Sequence, residues 1–350
     1  MQVDKKIAII GGGLSGLSLA YQLYKKGISI EIITKKENYS SVIAAGLINP
    51  IVFRRTTKSW AVDTFLPYAK QFYQTVEQDL GVDCWHDLSI RRSFSHDQEA
   101  DDWKKKKTKE NYSDYLGAIN SESPAALYKE YGTGIVKQGA WIDTHHFIYG
   151  LRDFFEGKGW LKYGNVKELY SEKELEQKFS AIVFCEGYEM IHNPDFNYLP
   201  LDPTKGQTLR IHSEEIPAEE SINRKCFVLP VGNHEFKVGA TYEWSNDTLH
   251  CTSEAREQLE DDLKNLIQSN YTVVEQEAGV RPTVKDRRPL LGQHPHKKQY
   301  YIFNGMGAKG YLIAPYLSKE MCNFLIDGKA VMVEADIKRY EHLFGTKFTK

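Results

Sequence analysis

The chain begins with an apolar run, Ile7–Ile10, that passes through a glycine-rich turn into apolar positions spaced for a helix, about Leu14–Lys26. Lys25 and Lys26 followed by Gly27 make a helix stop, and a second apolar run follows at Ile28–Ile33. The far end of the chain repeats this order: strand Tyr300–Asn304, a glycine turn, then a helix from about Tyr311 to Ile326. Between them a long helix fits Trp60–Leu80, and Cys84–Ser95 is strand-like. A helix over about His145–Glu156 can be capped by Asp143 or Thr144 and ended by Gly157. AIVFCEG, Ala181–Gly187, reads as a buried parallel strand that ends in glycine. Strand patterns recur at Gln207–His212, Cys226–Pro230, Glu235–Tyr242 and from Tyr271, with a helix predicted at Ser253–Gln268. The α/β pieces at both ends and in the middle flank more β-rich stretches. Two interleaved domains explain that alternation better than two consecutive ones.

Charge and cysteine content narrow the classes. With 45 Lys+Arg against 47 Asp+Glu, a net charge of −2 gives no general attraction to a polyanion or an acidic membrane. The five cysteines are scattered, with no CxxC pair, which argues against a disulfide framework or a zinc cluster and suggests a reducing, cytoplasmic setting. Ile7–Leu23 has lysines ahead of it as a signal peptide would, but four glycines interrupt it and no small-residue cleavage site follows. No apolar run is long enough to span a bilayer, so no membrane partner is expected. The stretch DDWKKKKTKE, Asp101–Glu110, reads as a solvated helix face around one Trp. His145 and His146 are adjacent, so on a helix they diverge, and no metal is expected.

Gly11, Gly13 and Gly16 form GxGxxG directly after a strand and at the opening of a helix, the setting that spacing requires to bind a dinucleotide. The first glycine allows the tight turn, the second lets backbone approach a pyrophosphate, and the third lets helix and strand pack closely. The helix N-terminus adds N–H groups and the positive end of its dipole. One part is missing: the second strand ends in Thr34, where an Asp or Glu would accept the ribose hydroxyls. The Thr34 hydroxyl offers one bond, Glu31 lies elsewhere on the strand, and Glu37 is slightly too far along, so adenosine binding is expected to be either weaker or shared with the loop around Asn38.

Three further segments carry a resemblance. SSVIAAGLINP (Ser40–Pro50), AGVRPTVKDRRPLLGQHP (Ala278–Pro295) and YIFNGMGAKGYLIAPYLSKE (Tyr301–Glu320) together resemble the D-amino-acid oxidase-like family of FAD-dependent oxidoreductases. Within it the chain is most similar to glycine oxidase and to the FAD-containing oxidase half of the bifunctional tRNA wobble-uridine modification enzyme. The resemblance implies an α/β (α+β overall) fold in which a Rossmann-like FAD-binding domain is interleaved with a β-rich, mainly antiparallel substrate domain. The expected division gives 1–65, 135–205 and 278–350 to the FAD domain, and 66–134 and 206–277 to the substrate domain.

The residues of the last segment agree with FAD. The turn Gly305–x–Gly307–x–x–Gly310 precedes a helix, so a second helix N-terminus faces an anion site. Aimed at the N1/C2 side of an isoalloxazine, it stabilises the anionic reduced flavin and favours hydride acceptance. A second anion site is superfluous for NAD alone but suits FAD, whose pyrophosphate and flavin ring lie far apart. Ala45 and Gly46 in AAGLINP, and Gly187 in CEG, stand where family members bring backbone close to the cofactor. Cys185 precedes that glycine and reads as structural, so the expected FAD is non-covalent.

For the substrate, the family implies oxidation of a C–N bond next to a carboxylate: hydride passes to flavin N5 and the imine hydrolyses. Arg281 in GVRP stands where glycine oxidase-like members place their carboxylate-binding arginine, with Arg288 as the reserve. Lys309 brings positive charge near the flavin, and Asn49 lies close to the ring in the family. Phe227 stands where glycine oxidase has a substrate-binding tyrosine, and Tyr242 is the expected replacement. The expected partners are a small amine or amino acid and O2 or another electron acceptor. Action on a carboxymethylaminomethyl group of tRNA is the less favoured alternative, since no methyltransferase half is present in this chain. A flavin-binding protein without turnover is the alternative of another class.

Overall fold

The computed structural model describes residues 6–37, 39–122 and 127–344, so Asn38 lies outside the described residues. Lys6–Ile10 is the central strand of a six-stranded sheet, with Ile30–Thr34 on one side and Phe179–Phe184 on the other. Leu161–Tyr163 extends the sheet beyond Ile30–Thr34, and Tyr300–Asn304 extends it beyond Phe179–Phe184, all parallel. Leu290–Gln293 closes the far edge antiparallel to Tyr300–Asn304. Strands buried on both faces should be apolar almost throughout. Ile7, Ala8, Ile9 and Ile10, and Ala181, Ile182, Val183 and Phe184, are all buried. The stretch Ile7–Leu23, with its signal-peptide-like flank, is thus the centre of the fold.

The second sheet has nine strands and is mainly antiparallel. Its backbone is a long ribbon in which Leu201–His212 pairs with Thr272–Val284 from Leu201↔Val284 to His212↔Thr272. The expected boundary at 65/66 falls inside the Val62–Leu80 helix, and those at 205/206 and 277/278 fall inside these two paired strands. We therefore propose interleaved units whose borders follow whole elements, with the ribbon shared between them.

Helix boundaries follow their caps. Asp143 is the N-cap of Thr144–Gly157, accepting from His146 N at 2.9 Å, a contact worth about 1 kcal/mol. Thr144, the other cap candidate, is turned inward and donates to Val42 O at 2.7 Å. Gly81 ends Val62–Leu80 at φ 69°, as a left-handed C-cap favours. The run around Trp103 is a helix, Asp97–Lys107; Lys104 and Lys105 face solvent, Lys106 donates to Arg55 O and Thr56 O, and Trp103 is fully buried against Phe94. Cys84–Ser95 divides into two short strands, Trp85–Asp87 and Ser89–Ser93, that join different sheets. The helix predicted to Gln268 stops at Lys264, because Leu266 and Ile267 turn into the core of the second sheet.

Candidate functional site

A cavity of about 1210 Å³ lies along the carboxyl ends of the parallel strands and continues onto the face of the second sheet. Ligands of open α/β sheets bind at that edge, where strand order reverses. Here the reversal lies between Lys6–Ile10 and Phe179–Phe184. Gly11, Gly13, Thr34, Ala45, Gly46, Asn49, Gly187, Gly307, Lys309, Gly310 and Arg281 all line this one space. Two glycine turns almost 300 residues apart in sequence thus open onto the same cavity.

The first turn is built by close approach. At Gly11 φ is 111°, and an added Cβ would stand 2.4 Å from Cys185 O. An added Cβ on Gly16 would lie 1.8 Å from Gly11 O, so Gly16 lets the helix pack on its own turn and does not line the cavity. Thr34, which lines the cavity, also braces the turn. Its Oγ1 accepts from Gly12 N at 2.9 Å and donates to Lys35 O at 3.2 Å, which fastens the turn to the second strand. Behind it lies Arg152, which sequence reasoning missed. This buried guanidinium donates to Gly12 O at 3.1 Å and Lys36 O at 2.8 Å, and its Nη2 has no partner.

The SSVIAAGLINP segment ties the site together. Leu14 N at the helix start donates to Ser41 Oγ at 3.0 Å, and Ser40 Oγ donates to Val280 O at 2.6 Å on the second sheet. Lys237 Nζ donates to Ile43 O at 2.7 Å, again from the second sheet. Gly46, at φ 70°, passes so near Ile142 that a Cβ would be 2.1 Å from its carbonyl. This segment therefore holds the first helix, the second sheet and the far glycine turn in one register.

At the far turn, Gly305 N donates to Asn304 Oδ1 at 2.8 Å, and Asn304 Nδ2 donates to Gly187 O at 2.9 Å. Gly305 itself shapes the turn at φ 76° and does not line the cavity. Lys309 Nζ donates to Asn49 O at 2.8 Å and to Ser59 Oγ. Among the described residues no carboxylate pairs with it, and desolvation lowers it to about 8.

Arg281 is a second cation of this kind. Its Nη1 reaches Lys205 O and Thr241 O only at 3.4 and 3.3 Å, and no described carboxylate pairs with it. Burial pushes its ionisation down. Its guanidinium lies over Gly206, where a Cβ would be 2.2 Å from Nη2. A lone glycine inside the strand pattern TKGQT was the available signal for that approach.

Tyr242 does not supply a hydroxyl to the cavity. It is 39% exposed, on the outer side of Arg281, and its hydroxyl accepts from Arg287. Phe227 lines the wall beside Thr208, while Arg288 lies over Trp60 and outside the cavity.

The family model DAO, FAD dependent oxidoreductase, matches residues 6–323. The chain belongs to this family. It is 21% identical to the tRNA 5-methylaminomethyl-2-thiouridine biosynthesis bifunctional protein MnmC of Marinobacter nauticus, over 96% of this chain and 58% of that protein. The chain thus spans little more than half the length of that relative. Among solved structures it resembles glycine oxidase from Geobacillus kaustophilus at TM-score 0.77 and 18% identity, covering 96% and 97% of the two chains. Iminodiacetate oxidase from Chelativorans sp. BNC1 gives the same TM-score at 17% identity, over 96% and 98%.

The residues of this FAD-dependent oxidoreductase fit its cofactor. Gly11 and Gly13 line the cavity at the start of the Leu14–Lys25 helix, whose N-terminus suits a pyrophosphate. The Gly310–Asp327 helix presents a second N-terminus to the same cavity, beside the unpaired Lys309 ammonium. Cys185 is buried and its thiol is pushed well up by desolvation. A thiol held neutral is a poor nucleophile, which favours a non-covalent flavin. Among the described residues no helix is long and apolar enough to cross a membrane.

Proposed function

We propose that this oxidoreductase oxidises the C–N bond of an amino acid or secondary amine that carries a carboxylate. The observation that carries the reading is Arg281, a desolvated guanidinium without a carboxylate partner, facing the cavity that also holds both glycine turns. A planar fork of that kind suits two parallel bonds to a carboxylate. Arg281 would bind and orient the substrate, with Thr208, Phe227 and Leu249 walling the space beside it. Bound FAD would supply the hydride acceptor, and the imine product would hydrolyse. Lys309 and the Gly310–Asp327 helix would concentrate positive charge on one side of the ring, while Gly46 and Asn49 would let backbone lie against it. The remaining demand on the protein is orientation and exclusion of water. O2 or another acceptor would reoxidise the flavin, and we place the enzyme in the cytoplasm.

One observation favours a second substrate. On the outer side of Arg281, Tyr242 and Trp244 are exposed, with Arg287 4.6 Å from the Trp244 ring. Such a stack could seat a nucleobase, as an amine on a modified tRNA uridine would require. The relative of Marinobacter nauticus bears a tRNA-directed name.

The test is anaerobic mixing of the FAD-loaded protein with D- and L-amino acids, N-substituted glycines and carboxymethylaminomethyl nucleosides. Bleaching by a free amino acid or N-substituted glycine supports the leading reading, and bleaching only by the nucleoside or its tRNA supports the second. A protein that binds FAD and bleaches with none of these overturns both substrate readings.

A further inference from the structure

We propose that Glu186 accepts the ribose hydroxyls of the cofactor's adenosine, in place of the carboxylate that the second strand lacks. The proposal rests on the FAD reading of the cavity. Dinucleotide folds normally hold that ribose with an Asp or Glu at the end of the second strand. Here Thr34 is committed to Gly12 and Lys35, and the charges nearest the strand end are cations: Lys35, Lys36 and the buried Arg152. The acceptor has to come from another element.

Five acidic residues line the cavity: Glu37, Glu172, Glu186, Glu189 and Asp195. Glu189 is taken by Lys35 at 2.6 Å, while Glu172 and Asp195 are taken by Lys297 at 2.5 and 2.9 Å. Glu37 is exposed, three residues past the strand end. Glu186 has no ion-pair partner among the described residues; its Oε2 accepts one bond, from Asn193 Nδ2 at 2.7 Å.

Its position is right for the adenosine. Cys185, the preceding residue, supplies the carbonyl against which Gly11 packs, so Glu186 begins where the phosphate turn ends. The charged groups it senses are Glu189 on its own segment, Lys35 after the second strand, and Lys167 after Leu161–Tyr163. Lys35 and Lys167 follow strands on the side of Lys6–Ile10 opposite to Tyr300–Asn304, the strand that leads to Lys309. Desolvation raises the Glu186 carboxyl to about 7. Two hydroxyl donors would favour its ionised form, so nucleotide affinity should rise with pH through that region.

The experiment titrates the full chain, freed of flavin, with FAD, ADP and 2′,3′-dideoxy-ADP at pH 6 and pH 8. The wild type should bind ADP roughly tenfold more tightly than the dideoxy nucleotide at pH 8, with a smaller gap at pH 6. Glu186→Ala should bind both nucleotides as the wild type binds dideoxy-ADP, which also shows that the turn is folded. Glu186→Gln, which keeps one acceptor oxygen, should retain part of the gap and lose its pH dependence. Wild-type discrimination persisting in Glu186→Ala overturns the proposal while leaving the FAD reading intact. A wild type that binds neither FAD nor ADP overturns both. If Glu186→Ala fails to fold, Glu186→Gln decides: an unchanged gap with an unchanged pH profile overturns the proposal.

Discussion

The two ends of the cavity carry opposite kinds of incompleteness. At the end beside Thr34, Lys35 is paired with Glu189 and Lys297 with Glu172 and Asp195, and a carboxyl, Glu186, is left with one amide partner. At the end beside Arg281 two cations face the space and, among the described residues, hydrogen-bond only to hydroxyl and carbonyl groups. Burying a charge without a counter-charge costs free energy unless a ligand supplies it. The contrast therefore points to a ligand set that offers hydroxyl donors at one end and negative charge at the other. An adenosine and a substrate carboxylate meet those two demands, and the first glycine turn between them suits the phosphates.

The largest test breaks the connection itself. Gly11→Val would place branched carbon 2.4 Å from Cys185 O or closer, at a φ of 111° that L-residues rarely adopt. Strain and overpacking there should cost on the order of 3 kcal/mol. The expected outcome is a colourless protein with a lower melting temperature; full FAD retention would refute the pyrophosphate cradle. Next in size is Arg281→Ala, which should leave FAD bound and lower kcat/KM by roughly 100-fold, mostly through KM, as two charged bonds are lost. If Arg288→Ala shows that loss and Arg281→Ala does not, the substrate end has been assigned to the wrong arginine.

These sites differ in how far the sequence disclosed them. The turns were legible because glycine spacing after a strand has few physical uses, and their meeting follows from a parallel sheet whose strand ends share one edge. Arg281 was legible through the family resemblance of GVRP, whereas its partner Gly206 was signalled only by a lone glycine in a strand. For Thr34, nothing in a linear pattern shows that its hydroxyl also accepts from Gly12. Tyr242 was misassigned for a related reason. The Glu235–Gly239 strand ends before it, so alternation no longer fixes which way its side chain turns. Glu186 and Arg152 carried no local signal, because their importance depends on which of their neighbours lack counter-charges.

Lys309 allows a finer comparison through pH. Burial lowers it from 10.5 to about 8, so the unfolded chain holds this proton more tightly than the folded one. Its contribution therefore makes the flavin-free protein gain stability as pH rises from about 8 to 10.5, by about 3 kcal/mol. Lys309→Met should remove that rise in thermal melts. Reduction of bound FAD should flatten it too in the wild type, since an anionic reduced ring near the ammonium restores its affinity for a proton. A rise of equal size in the variant would place the titrating group elsewhere.

The smallest effect belongs to the rim. Tyr242→Phe removes a hydroxyl that accepts from Arg287 outside the cavity, and leaves the ring between Arg281 and Arg287. For a small amino acid held by Arg281, kcat/KM should change by less than about threefold, as an exposed contact of this kind contributes only about 0.5–1 kcal/mol. Tyr242→Ala, which removes the ring, should act more strongly on a substrate that extends out of the cavity than on one that fits within it. Measuring both variants against a free N-substituted glycine and against the modified nucleoside separates the two substrate readings. If Tyr242→Ala spares the first and weakens the second, the aromatic rim serves a base. If both substrates respond alike, its work is to hold Arg281, and the rim gives the tRNA reading no support.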